Sequence, residues 1–144
     1  IALRTTLIAG HPGETEEIFE ETLEFVERTR FDRLGVFTYS HEEQTFSHTM
    51  LDDIPAEVKQ QRADDIMAVQ QDISWSLNQA KIGNTYKVLF DRKEGGYFVG
   101  RTQFDSPEVD NEVLLPASQF VRQGDFANVK ITNAEEFDLY GELV

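Results

Sequence analysis

The 144 residues contain no cysteine. That excludes disulfides, thiolate nucleophiles and any cysteine-ligated metal or iron–sulfur cluster held by these residues themselves. No apolar run approaches the roughly 18 residues that cross a bilayer, and the N-terminus lacks the basic, apolar and small-residue order of a signal peptide. A soluble, cytoplasmic protein without a membrane partner is expected. Basic residues are scarce, 13 Lys and Arg against 27 Asp and Glu, for a formal net charge of −14. Such a surface repels a phosphate backbone and attracts a basic partner, so nucleic acid is disfavoured. Initiating methionine is also missing: Ile1 opens inside an apolar, strand-like run, as expected of a piece of a longer protein.

What is there suits a folded chain. Apolar residues make up 40% and include 11 Phe, which argues against disorder, and the length suits one ordinary domain or two small ones. Residues 2 to 9 (ALRTTLIA) read as a strand that stops at the turn Gly10-His11-Pro12-Gly13. From Glu14 the residues Ile18, Phe19, Thr22, Leu23 and Val26 recur at three and four, which predicts a helix with one buried face. The seven Glu from 14 to 27 lie mostly off that stripe and read as a solvated surface. Leu34 to Tyr39 (LGVFTY) is nearly continuous in apolar character, as in a strand covered on both faces. Strand, helix and strand make a βαβ unit of a parallel sheet, whose two open edges call for further strands.

Residues 40 to 54 are polar and read as a loop at a strand end. Beyond Pro55, the positions Val58, Arg62, Ile66, Val69, Ile73 and Leu77 form a helical seam running down to Gly83, which can serve as the glycine that ends the helix. Five short strands then follow between 86 and 143, separated by Gly-Gly, Ser-Pro, Gln-Gly-Asp and Asn-Ala turns. A small closed antiparallel barrel of the OB kind fits them, because closure removes exposed edges.

Chemistry is thinly signalled. The strand-to-helix turn at Gly10–Thr15 can hold an anion or a polar cofactor group on free backbone N–H groups, or can be an ordinary βα turn. His41, Glu42, Glu43 and His48 share a loop but lack zinc spacing, and His11 is distant in sequence. Ser40 and His41 are sequence neighbours, so no Ser-His-Asp arrangement is suggested.

Longer motifs carry a resemblance. Arg4-Thr5-Thr6-Leu7-Ile8-Ala9-Gly10-His11-Pro12-Gly13-Glu14-Thr15-Glu16-Glu17 and Phe31-Asp32-Arg33-Leu34-Gly35-Val36-Phe37-Thr38-Tyr39-Ser40 resemble the end of the radical-SAM barrel of methylthiotransferases. Ile54-Pro55 through Gln70-Gln71-Asp72-Ile73-Ser74 resembles the helix leading out of it, and residues 83 to 144, with Arg101 and Asp105-Ser106-Pro107-Glu108-Val109-Asp110, resemble a TRAM domain. The implied fold is α/β plus all-β: residues 1–54 as the C-terminal part of a TIM-like radical-SAM barrel, 55–82 as a connecting helix and 83–144 as a five-stranded OB-like TRAM barrel.

Within that family one branch, MiaB-like, modifies a tRNA adenosine and another, RimO-type, an aspartate of a small-subunit ribosomal protein (protein twelve). Arg4-Thr5-Thr6, His11 and Ser40-His41-Glu42-Glu43-Gln44-Thr45 are similar to the ribosomal-protein branch. Residues 77 to 144 hold 7 basic and 11 acidic side chains, which suits docking of a basic ribosomal protein better than tRNA. Two departures stand out: Gln44 replaces a Gly expected before Thr45, and Asn111 a Gly after Asp110. The resemblance implies S-adenosylmethionine and two 4Fe-4S clusters in the full-length transferase, the cluster cysteines lying upstream, so this fragment alone is expected to be inactive. Arg4, Ile8, Gly10, Glu14, Tyr39 and Ser40 would then line the cofactor pocket, because ligands of parallel barrels sit at strand C-terminal ends. Asp105, Glu108 and Asp110 would dock the protein substrate. The alternatives are the tRNA branch and a non-catalytic TRAM binding module.

Overall fold

The computed structural model describes residues 1–106 and 110–144, and Glu108 therefore lies outside the described residues. The chain divides into two compact units, Ile1–Ile73 and Ser74–Val144.

In the first unit, β1 (Arg4–Ala9) and β2 (Arg33–Thr38) pair in parallel, joined through α1 (Glu16–Thr29). Thr15 caps α1, its hydroxyl accepting from the Ile18 N–H at 3.2 Å, so the helix starts two residues beyond Glu14. Glu16 and Glu17 in the first turn and Arg28 in the last complement the helix dipole. Phe19, Val26 and Phe31, with Ala63, Ile66 and Ile73 of α2 (Ala56–Gln79), are buried and build the core of this unit. The register sets Thr6 beside Gly35 and Ile8 beside Phe37. Side chains at paired positions of a parallel ladder point the same way, so Arg4, Thr6, Ile8 and Phe37 share one face. Ile8 is 56% and Phe37 66% exposed. Full cover of β2 on both faces is thus corrected: the helices cover one face, and Phe37 lies on the other.

The α2 seam also differs from expectation. Lys59, Arg62, Gln70, Ser74 and Asn78 are buried, whereas Val58, Val69 and Leu77 are only half-buried. Buried polar groups require partners. Lys59 pairs with Asp52 at 2.8 Å, Arg62 with Glu14 at 2.8 Å, and the Gln70 amide donates to the Phe31 carbonyl at 2.8 Å. The helix ends at Gln79, and Gly83, at φ +90, turns the chain into the next strand instead of closing the helix.

Gln44 sits at φ +67, in the left-handed region where a Cβ costs roughly 1–2 kcal/mol. The turn needs glycine geometry but carries glutamine. Gln44→Gly is therefore expected to stabilise the loop by up to about 1 kcal/mol, after the larger chain entropy of unfolded glycine is counted. Slower amide exchange at residues 42–49 checks it.

The second unit is a closed barrel of β3 (Thr85–Glu94), β4 (Tyr97–Arg101), β5 (Glu112–Pro116), β6 (Phe126–Ala134) and β7 (Asp138–Leu143), in the order β3-β4-β5-β7-β6. Val88, Phe90, Phe98, Val113, Leu115, Val129, Ile131 and Leu139 fill its core. The expected five strands and closure are found, but not wholly antiparallel pairing: β5 and β7 run parallel. Five strands in a closed ring cannot alternate direction throughout, so at least one pair must be parallel. This is the OB arrangement.

The parallel pairing sets Glu112 beside Asp138. Arg92 neutralises Glu112 at 2.8 Å and also bonds Glu94, and these two carboxylates raise its pKa further. Among the described residues no cation is paired with Asp138: burial, then Glu112 and Glu135, raise its pKa above the ordinary 3.8. A carboxyl whose folded pKa is raised costs stability when ionised, fully above the raised value and not at all below 3.8. Asp138→Asn should therefore stabilise the barrel at neutral pH, and that advantage should vanish in acid. Thermal melts of both proteins from pH 7 to pH 3 test the sign.

Candidate functional site

The C-terminal ends of β1 and β2 form a rim on which most of the sequence-nominated cofactor residues gather. Gly10, at φ +82, is buried against α2: a Cβ there would sit 2.2 Å from Lys59 Cγ. Its N–H donates to Glu14 Oε1 at 3.1 Å. Arg62 donates to that same oxygen at 2.8 Å, to the Glu14 carbonyl at 3.0 Å and to Glu16 at 3.1 Å. Burial alone would lower the Arg62 pKa, but hydrogen bonds and charge from Glu14 and Glu16 outweigh it and the net shift is upward. Glu14 is thus engaged in holding the turn, with its side chain only 12% exposed.

Tyr39 is the hub of the second strand end. Its N–H donates to the Ala9 carbonyl at 2.8 Å, the Lys59 ammonium lies 5.1 Å from its ring centroid, and its hydroxyl bonds His41 Nδ1 at 3.1 Å. The His11 ring meets Tyr39 edge-on at 5.3 Å, and His41 stacks on His48 at 4.3 Å. His11 Nδ1 lies 3.0 Å from the Pro12 carbonyl, which can only accept. Nδ1 therefore carries the proton in the neutral ring, and Nε2 accepts from the Ser47 hydroxyl at 2.8 Å. All three histidines of the chain thus converge around Tyr39, although His11 is distant in sequence. Among the described residues no group of three or more His, Asp or Glu could hold a metal ion. The Ser40 hydroxyl donates to Glu42 and faces solvent. Arg4 and Ile8 stand on the open face of β1.

Sequence reasoning missed Lys59, Asp52 and Ser47 here. Arg62 was placed in the apolar seam of α2, and a cation there is itself the signal of a buried carboxylate partner.

On the barrel, Asp105 is 8% exposed and its carboxylate accepts from the Thr102 hydroxyl at 2.7 Å, while Asp110 accepts from the Ser106 N–H at 2.7 Å. Asp105 thus braces the turn that follows β4, and Asp110 bonds back to Ser106. A separate cavity of about 330 Å³ is lined by Lys87, Leu89, Arg101, Thr102, Gln103 and Phe126. The Lys87 ammonium lies 4.8 Å from the Phe126 centroid, and Arg101 pairs with Asp91 at 3.1 Å.

Comparison with known proteins agrees with this architecture. Residues 82–144 match the family model described as TRAM domain. Over 145 residues the chain is 67% identical to the ribosomal protein uS12 methylthiotransferase RimO of Cytophaga hutchinsonii, covering 100% of this chain and 33% of that protein. It is 59% identical over 143 residues to the protein of the same name from Flavobacterium psychrophilum, with coverage of 99% and 33%. The corresponding figures for Porphyromonas gingivalis are 54% over 147 residues, 100% and 34%. The chain therefore spans about a third of the length of the curated relatives it matches. A parallel βαβ unit with a strand-end rim, followed by an OB-like TRAM barrel, places the chain in the α/β plus all-β class expected for the last part of a radical-SAM barrel and its TRAM domain. Over its whole length the chain is similar to about a third of the length of the RimO-type ribosomal protein methylthiotransferases, and its residues 82–144 match a TRAM domain.

Proposed function

We propose that the full-length protein is a radical-SAM transferase that methylthiolates an aspartate of ribosomal protein uS12 in the cytoplasm. In this reading residues 1–54 contribute part of the catalytic barrel, 55–82 connect it, and 83–144 dock the substrate. The observation that carries the reading is 67% identity over the whole chain to a protein of that name. S-adenosylmethionine, when bound, supplies a radical initiator and a methyl group, while two iron–sulfur clusters supply electrons and sulfur. The chain has no cysteine, so its residues do not fit a cluster and the fragment alone is inert. They do fit the cofactor: exposed Ile8 and Phe37 offer an apolar wall beside the polar Arg4 and Thr6, on the side of the sheet that the helices leave open. There Arg4, Ile8 and Gly10 would bound the pocket, and Tyr39 and Ser40 would close its outer edge. Glu14 fixes the turn. Of the two proposed docking acids among the described residues, Asp110 is half-exposed and can steer a basic partner, whereas Asp105 is buried. Steering of this kind weakens as salt screens the charge.

Arg4→Ala and Glu14→Ala in the full-length enzyme are expected to lower methylthiolation of uS12 by about tenfold or more, the scale on which misplaced active-site groups act. Iron and sulfide content should stay unchanged, because neither residue is a cluster ligand. Full activity in both variants would contradict the pocket assignment.

A further inference from the structure

Two cations on one helix reach both strand-end turns of the rim. Lys59 fills the space that a Cβ at Gly10 would need, pairs with Asp52 at 2.8 Å and sets its ammonium 5.1 Å from the Tyr39 centroid. Arg62, one turn on, is 7% exposed and forks between the Glu14 carboxylate, the Glu14 carbonyl and Glu16. The Glu14 oxygen held by Arg62 is the oxygen that accepts the Gly10 N–H. The Arg62 guanidinium, bonded to both the carboxylate and the carbonyl of Glu14, fixes that side chain in place. The chain of contacts therefore runs from Arg62 through Glu14 to the backbone of Gly10, and from Lys59 to Tyr39. Lysine cannot reproduce the planar fork at position 62, which satisfies a side-chain oxygen and a backbone carbonyl together.

We propose that Lys59 and Arg62 are the positioning residues of the cofactor rim: they touch no reacting atom, and they hold the Gly10 turn and the Tyr39 ring where the cofactor must pack. The proposal rests on the reading of the rim as the S-adenosylmethionine site. It also assigns Glu14 an indirect role, as the relay between Arg62 and Gly10.

The test uses the full-length, cluster-loaded protein and S-adenosylhomocysteine, which binds as the cofactor does but is not cleaved. Arg62→Met should weaken its affinity by about tenfold, the middle of the range for coupled neighbours. Exchange of the Gly10 amide should accelerate in the same variant. Arg62→Lys keeps the buried charge, and with it the fold, but loses the fork; it should show both effects in weaker form. Because Arg62 acts through Glu14, the double variant Arg62→Lys with Glu14→Gln should bind no worse than the weaker-binding single variant. Lys59→Met keeps the stem against Gly10 and loses the ammonium, so it should weaken binding while leaving Gly10 exchange unchanged. Ile8→Asp, in the wall itself, separates the two readings. If Ile8→Asp weakens binding while Arg62→Lys changes neither affinity nor Gly10 exchange, the positioning role is overturned and the pocket stands. If Ile8→Asp binds normally, the pocket reading fails and the positioning role falls with it.

Discussion

Gly141→Ala is expected to destabilise the barrel by about 2–3 kcal/mol, the upper part of the range for overpacking a core. A Cβ at Gly141 would lie 2.3 Å from Val129 Cγ1 and 2.8 Å from the Lys130 carbonyl oxygen. The valine could rotate, but the carbonyl belongs to β6 and cannot move without breaking the ladder. Gly100 repeats the arrangement against β3, with Val88 Cγ1 at 2.5 Å and the Leu89 oxygen at 2.8 Å. Each glycine pairs with the residue at which the register shifts, Ile131 for Gly141 and Phe90 for Gly100. Bulges concentrate twist, and a small barrel closes by bending there, which drives neighbouring backbones together. Gly96, with nothing within 4 Å of its Cβ position, is the control. Gly96→Ala should change stability by less than about 0.5 kcal/mol. Denaturant midpoints read through barrel amides compare the three proteins, and equal midpoints for Gly141→Ala and Gly96→Ala would contradict the close-approach account.

Asn78→Ala is expected to cost about 2–4 kcal/mol, because it strips partners from several buried groups at once. Asn78 is 1% exposed; its amide donates to the Glu135 carbonyl at 2.9 Å and the Glu136 carbonyl at 3.1 Å. Its oxygen accepts from Lys81 at 3.1 Å and from Asn111 at 3.1 Å. The network ties the end of α2 to the β6–β7 turn and to the start of β5. It also gives Asn111 a reason to stand where the family resemblance leads one to expect glycine: the side chain is 4% exposed and donates into the network. Asn111→Gly should therefore destabilise, and the double variant with Asn78→Ala should cost less than the two single effects together. Additive effects would show that the two amides act independently.

How much of this was legible in the sequence depends on what each residue's signal required. Periodicity located α1, because Phe19 and Val26 repeat on its buried face. The barrel strands were legible from their alternation and turn residues. The parallel β5–β7 pairing was not, since it follows from ring closure and no residue encodes it locally. On α2 the apolar seam misled, because Gln70 and Asn78 occupy buried positions through hydrogen bonds to carbonyls far along the chain. Phe37 looked like a residue covered on both sides, yet its exposure depends on what else packs on the sheet. His11 and His48 could not be brought together by spacing, because the loop carrying His48 returns to the rim through Ser47. Ile8, Gly10, Glu14, Tyr39 and Ser40 gather at one strand end, since parallel βα units place their turns there, whereas Arg4 opens β1 at the opposite end. The docking acids were chosen by charge alone, and charge does not reveal that the Asp105 carboxylate is turned inward to Thr102.

The most direct test is a competition. The full-length protein, reconstituted with iron, sulfide and S-adenosylmethionine, is offered uS12 and unmodified tRNA together, and both products are mapped by mass spectrometry. The account predicts a methylthio group on an aspartate of uS12 and unmodified tRNA. Methylthiolated adenosine in the tRNA beside unmodified uS12 would contradict it.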